Sequence, residues 1–151
     1  AMFSAVIAII SLLYFFPFRN PFVTGNIINS NATMLTPYDR VNESTIQISD
    51  NRVVININNA RIGRFANTSS MMPAISENAT SIEIIPGKPE QIHSGDIITF
   101  EQNGIMIVHR VIETGQDKEG WYAITKGDNS QGTDGKIRFE QIKYITVGIL
   151  Y

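Results

Sequence analysis

From residue 45 onward the chain alternates apolar and polar positions in short runs. Thr45-Ile46-Gln47-Ile48-Ser49 has the period of two that puts successive side chains on opposite faces of a strand. Val53 to Ile57 follows after the turn-forming pair Asp50-Asn51, so the two runs are expected to form a hairpin. Ile62 to Phe65 reads as a short strand, and Ser81 to Ile85 as another closed by Pro86-Gly87. Asp96 to Phe100 and Ile105 to Val108 flank Asn103-Gly104, a strong two-residue hairpin signal. The second of these continues through Glu113, and Trp121 to Thr125 and Tyr144 to Ile149 complete the set. Long amphipathic helical patterns are missing here, so the fold class is mainly β, a small barrel or folded sheet.

The N-terminal pattern differs. Met2 to Phe18 is uninterrupted by charge, and Ser4 and Ser11 are its clearly polar residues. As a helix, about 17 residues rise about 25 Å, slightly short of the ~30 Å hydrocarbon core of a bilayer. Tyr14, Phe15, Phe16 and Phe18 before Arg19 suit a membrane–water boundary. The segment reads as a transmembrane anchor. A cleavable secretion signal fits less well, because a basic start and a small-residue cleavage site are both missing. A buried helix is the remaining alternative. Residues 20–40, rich in Asn, Thr and Ser, read as a linker or irregular surface structure.

Composition narrows the chemistry. A length of 151 residues fits one domain with a short appendage. A formal charge of −2 and the lack of any Lys/Arg cluster argue against nucleic-acid binding. Cysteine is absent, which removes disulfides and thiol nucleophiles. The two histidines, His93 and His109, have no metal-ligand spacing, so neither a metal nor a cofactor is expected. Asn31, Asn42, Asn67 and Asn78 each begin an Asn-X-Ser/Thr triplet, which favours a domain outside the membrane. Sugar on Asn67 would crowd Ser70, so that triplet is expected to be unoccupied.

Three stretches carry candidate chemistry. Ser70 sits in Thr68-Ser69-Ser70-Met71-Met72-Pro73, His109 in Val108-His109-Arg110-Val111, and Asp128 and Asp134 in the turn-rich run from Lys126 to Gly135. A serine hydroxyl needs a base to become a nucleophile, and histidine suits that task at neutral pH. A carboxylate on the other ring nitrogen fixes the tautomer. Alternation places His109 on the apolar face of its strand, where a polar group needs a partner. Either aspartate could supply it. His93 lies before a turn and is expected to be a solvated surface group.

These segments resemble, in order, the boxes of type I signal peptidases of the archaeal and endoplasmic-reticulum subtype, within the Ser-Met-x-Pro serine protease clan. Ser70-Met71-Met72-Pro73 is similar to the nucleophile box, and Ser94-Gly95-Asp96-Ile97-Ile98 to the strand after it. Val108-His109-Arg110-Val111 is similar to the box in which this subtype has histidine and bacterial relatives have lysine. Lys126-Gly127-Asp128-Asn129-Ser130 resembles the Gly-Asp-Asn box, with Asp134 at the second aspartate. The typical glycine before the nucleophile is replaced by Ser69, and nothing before Ala66 finds a counterpart.

The resemblance implies a signal-peptidase-like catalytic β domain at 66–151; in front of it the residues themselves read as an anchor at 1–19 and a linker with an added β segment at 20–65. It implies Ser70 as nucleophile and His109 as base. Asp134 orients His109 and Asp128 supports the site, with the reverse assignment open. The Ser70 N–H and Thr68 serve the oxyanion, and Met71 and Val108 wall the substrate pocket. The substrate is a signal-peptide-bearing preprotein, bound as an added strand and cut after a small residue on the extracytoplasmic side of the cell membrane. A self-cleaving repressor-type peptidase fits less well, since that group uses a lysine base. The competing class is an inactive, surface-anchored β module that binds peptides or envelope components.

Overall fold

A computed structural model describes residues 35–66 and 68–151. The expected anchor at 1–19, the Asn31 triplet, Asn67 and the first part of the expected linker lie outside the described residues. Among the described residues no helix is long and apolar enough to cross a membrane.

The fold is mainly β and antiparallel. Among the described residues there are nine strands: β1 (Ile46–Ser49), β2 (Arg52–Ile55), β3 (Arg61–Arg64), β4 (Thr80–Ile84), β5 (Ile97–Gln102), β6 (Ile105–Asp117), β7 (Gly120–Lys126), β8 (Lys136–Arg138) and β9 (Ile142–Leu150). β1 and β2 form the expected hairpin as a separate two-stranded sheet. Neither strand is buried, and Ile48 and Val53 point their side chains to solvent. The pair therefore covers no edge of the main sheet by hydrogen bonding.

The other seven strands make one sheet in the order β3-β4-β9-β5-β6-β7-β8. β5 lies between β9 and β6, which explains its run of four buried residues, Ile97 to Phe100. Adjacent strand residues face opposite ways, so Ile97 and Ile98 feed two different cores. Ile98 joins Phe100, Val111, Ala123, Ile137 and Ile145 on one face. Ile97 packs with Met71, Ile75 and Ala79 on the other, under the loop that carries Ser70. Asn103 and Gly104, with φ of 53° and 77°, turn β5 into β6, as Asn-Gly requires.

Two features depart from the expectation. β8 has no strand signal of its own, because its three residues include Lys136 and Arg138; pairing with β7 and the fully buried Ile137 define it. The expected added β segment is also divided, with β1 and β2 apart and β3 at the edge of the main sheet. β3 pairs with β4 in the main sheet, and the described residues from Leu35 onward belong to one compact unit.

Candidate active site

Strand β6 presents His109 opposite the fully buried Ile98. The partner it needs is Asp134: Nδ1 lies 2.7 Å from Oδ2. A carboxylate can only accept, so Nδ1 carries a proton, and in the neutral ring the lone pair is on Nε2. Asp134 is itself held in place. Its Oδ2 accepts from Thr125 Oγ1 at 2.7 Å, its N–H donates to the Thr125 carbonyl, and its own carbonyl accepts from Gln102 Nε2. Sequence reasoning misses Thr125, although its place on the buried face of β7 beside Ala123 marks it as a polar group needing a partner.

Asp128 goes elsewhere. Its two carboxylate oxygens take a fork from Arg110, Nε to Oδ1 and Nη2 to Oδ2, both at 2.7 Å. The third arm of Arg110, Nη1, donates to the Gly95 carbonyl at 2.9 Å. Of the two aspartates, Asp134 is therefore the one beside His109, and Asp128 fixes the loop that follows β7.

That loop grips the Ser70 segment. Ser69–Met71 forms a single 3-10 turn begun by Thr68, with Met71 buried beneath it. Asn129 donates its N–H to the Ser70 carbonyl at 2.8 Å and its Nδ2 to the Ser69 carbonyl at 3.1 Å. Gly127 makes the close approach possible. A Cβ there would stand 2.6 Å from the Ser70 carbonyl oxygen and 2.9 Å from His109 Nε2. Nε2 is thus turned toward the Ser70 loop. Ser69, in place of a glycine, causes no backbone strain: among the described residues positive φ outside glycine occurs at Asn59 and Asn103.

Ser70, Thr68, Met71, Val108 and His109 line one cleft of about 320 Å³, floored by apolar side chains such as Phe65 and Ile75. Ser70 Oγ lies 3.3 Å from Thr68 Oγ1, and among the described residues it makes no hydrogen bond to His109. The Ser70 N–H falls in the first turn of its short helix and so has no acceptor within it. On β6, residues 105–108 pair with β5 on one side, while pairing with β7 begins at Arg110. Among the described residues the other side of that stretch has no strand partner, and residues 105–108 line the cleft.

His93 is 42% exposed, as a surface group is, but it has partners. Its ring stacks on Tyr38 at 4.2 Å between centroids, and its Nδ1 lies 3.3 Å from Arg40 Nη2. No metal-binding group of three or more His, Asp or Glu side chains occurs among the described residues. Compared with known proteins, the chain matches no family, no curated protein and no solved structure.

Proposed function

We propose that the protein is a membrane-anchored serine endopeptidase of the signal-peptidase type, removing N-terminal signal peptides from exported preproteins on the extracytoplasmic side. One observation carries the reading: His109 lies between Asp134 and a cleft that Ser70 lines, with its free Nε2 turned toward the Ser70 loop. In this reading Ser70 Oγ attacks the scissile carbonyl while its proton passes to Nε2. The oxyanion is met by the Ser70 N–H and by Thr68. The imidazolium, stabilised by Asp134, returns the proton to the leaving amine. Water then cleaves the acyl-enzyme by the same route, and Ser70 regains its hydrogen. A donor to the oxyanion is typically worth about 10²–10³ in rate.

The side of β6 that has no strand partner among the described residues, at 105–108, suits a peptide added as a strand, with Met71 and Val108 against its alternate side chains. The apolar segment at residues 2–18 serves as the anchor and meets a substrate that is itself membrane-inserted. The inactive peptide-binding module draws on a single observation, the pairing of Ser70 Oγ with Thr68 rather than His109. Catalytic hydrogen bonds are often loose without substrate.

The test is cleavage of a membrane-inserted preprotein by the full chain beside Ser70→Ala and His109→Ala. Cleavage after a small residue, lost in both variants, is the expected result. A folded wild type that cleaves no preprotein and leaves Ser70 unmodified by a fluorophosphonate would move the protein to the binding class.

A further inference from the structure

The carboxylate of Asp96 is wholly buried, yet it is ringed by donors. Oδ1 accepts from the Tyr38 N–H at 3.0 Å and from Arg40 Nη1 at 2.7 Å. Oδ2 accepts from Arg40 Nη2 at 2.6 Å and from the His93 N–H at 2.8 Å. Two of these four bonds and the one paired guanidinium come from Arg40, whose side chain is 11% exposed. A carboxylate taken out of water needs such a partner, and removing the partner leaves an uncompensated ion. The strap Thr36–Arg40 is pressed against this point. Gly95 has φ of 100°, and a side chain there would run into the Thr36 carbonyl group.

From Asp96 the contacts lead to the cleft. The Gly95 N–H donates to the Val111 carbonyl, and the Val111 N–H donates to the Asp96 carbonyl, both at 2.8 Å. These bonds fix the register of β6 two residues beyond His109. The Gly95 carbonyl receives Arg110, Arg110 holds Asp128, and the next residue, Asn129, holds the Ser70 carbonyl.

We infer that Arg40 is a positioning residue for the Ser70–His109 site, acting through Asp96, Gly95 and Arg110 on the loop that grips Ser70. It lies before the stretch that carries any catalytic motif, and makes the strap part of the site's support. The inference rests on the serine-hydrolase reading for its effect on rate, but the geometric claim stands independently.

The test uses the full chain in detergent with Arg40→Gln, Arg40→Lys and, as a control, Arg138→Ala, which opens a distant charge cluster. Amide exchange at Asn129 reads the grip on Ser70 without any activity, and acylation of Ser70 by a fluorophosphonate reads the site. In folded Arg40→Gln, Asn129 exchange is expected to rise and acylation to fall, each by tenfold or more. Arg40→Lys recovers part of both, and Arg138→Ala stays within twofold of wild type in both. If Arg40→Gln does not fold, Arg40→Gln/Asp96→Asn removes the buried charge and takes its place. Wild-type exchange at Asn129 in a folded variant overturns the inference. A wild type inert to the probe sinks the serine-hydrolase reading instead, and Asn129 exchange then decides this inference alone.

Discussion

At Gly127 one methyl group decides whether the Ser70 loop and the His109 ring can share space. The carbonyl of Ser70 is backbone and cannot swing aside, so Gly127→Ala must push the Ser70 turn or the His109 ring from its place. Misplacement on the order of 1 Å costs about 10² in rate. Gly127→Ala is therefore expected to lose about 10² in kcat while its melting temperature changes little; a variant with wild-type kcat would show that the loop tolerates the shift. The aspartates separate in the same way. Asp134→Asn exchanges one acceptor oxygen for a donor NH2, which holds His109 in the wrong tautomer, and is expected to lower kcat by roughly 10³–10⁴. Asp128→Asn leaves that acceptor in place and breaks the Arg110 fork, so its loss is smaller. The reverse ranking in single-turnover assays would exchange their roles. Residue types alone make Ser70, His109 and the two aspartates legible. Which aspartate meets His109 is not, because both sit in turns whose side-chain directions no periodicity reports. Gly127 reads as a turn glycine, since its use is a long-range approach.

At the far end of β6 and β7 a charge clasp ties the hairpin to β8. Arg138 and Lys136 both bond to Asp117 and hold its carboxyl well below the usual carboxylate range, while Asp117 raises Lys136. Asp117 therefore binds its proton less readily folded than unfolded. The stability it adds is present above the ordinary carboxylate pKa of about 4 and is lost as pH falls below it. The melting-temperature gap between wild type and Asp117→Asn is expected to be widest near pH 6 and to narrow steadily toward pH 2. A gap constant across that range would mean the clasp acts by packing rather than charge. This clasp also explains why β8 is illegible in the sequence. Its apolar content is Ile137 alone, so its strand character comes from β7 and from two cations committed to Asp117. β5, β6 and the Asn103-Gly104 turn are legible because alternation and turn chemistry are local. The solvent-facing β1–β2 pair shows the converse, since clear alternation locates its strands but not a core for them.

For the whole molecule, the question is what the N-terminal residues contribute and where that contribution ends. The described residues from Leu35 form one compact unit, and Arg40 is already inside it. Deleting residues 1–34 removes the apolar segment and spares the Arg40–Asp96 pair, the His109–Asp134 pair and the grip of Asn129 on Ser70. If that segment is an anchor, its effect is on encounter: it confines enzyme and substrate to one plane and raises their effective concentration. The shortened chain is then expected to hydrolyse a soluble signal-peptide mimic with kcat/KM within about threefold of the full chain. Its processing of a membrane-inserted preprotein is expected to fall by on the order of 10². A deletion reaching through Arg40 differs in kind, because it strips the buried Asp96 of its cation and should damage turnover of both substrates. Equal loss on both substrates after the shorter deletion would mean that residues 1–34 act on the cleft itself. Undiminished preprotein processing would mean that something other than this segment brings the protein to the membrane.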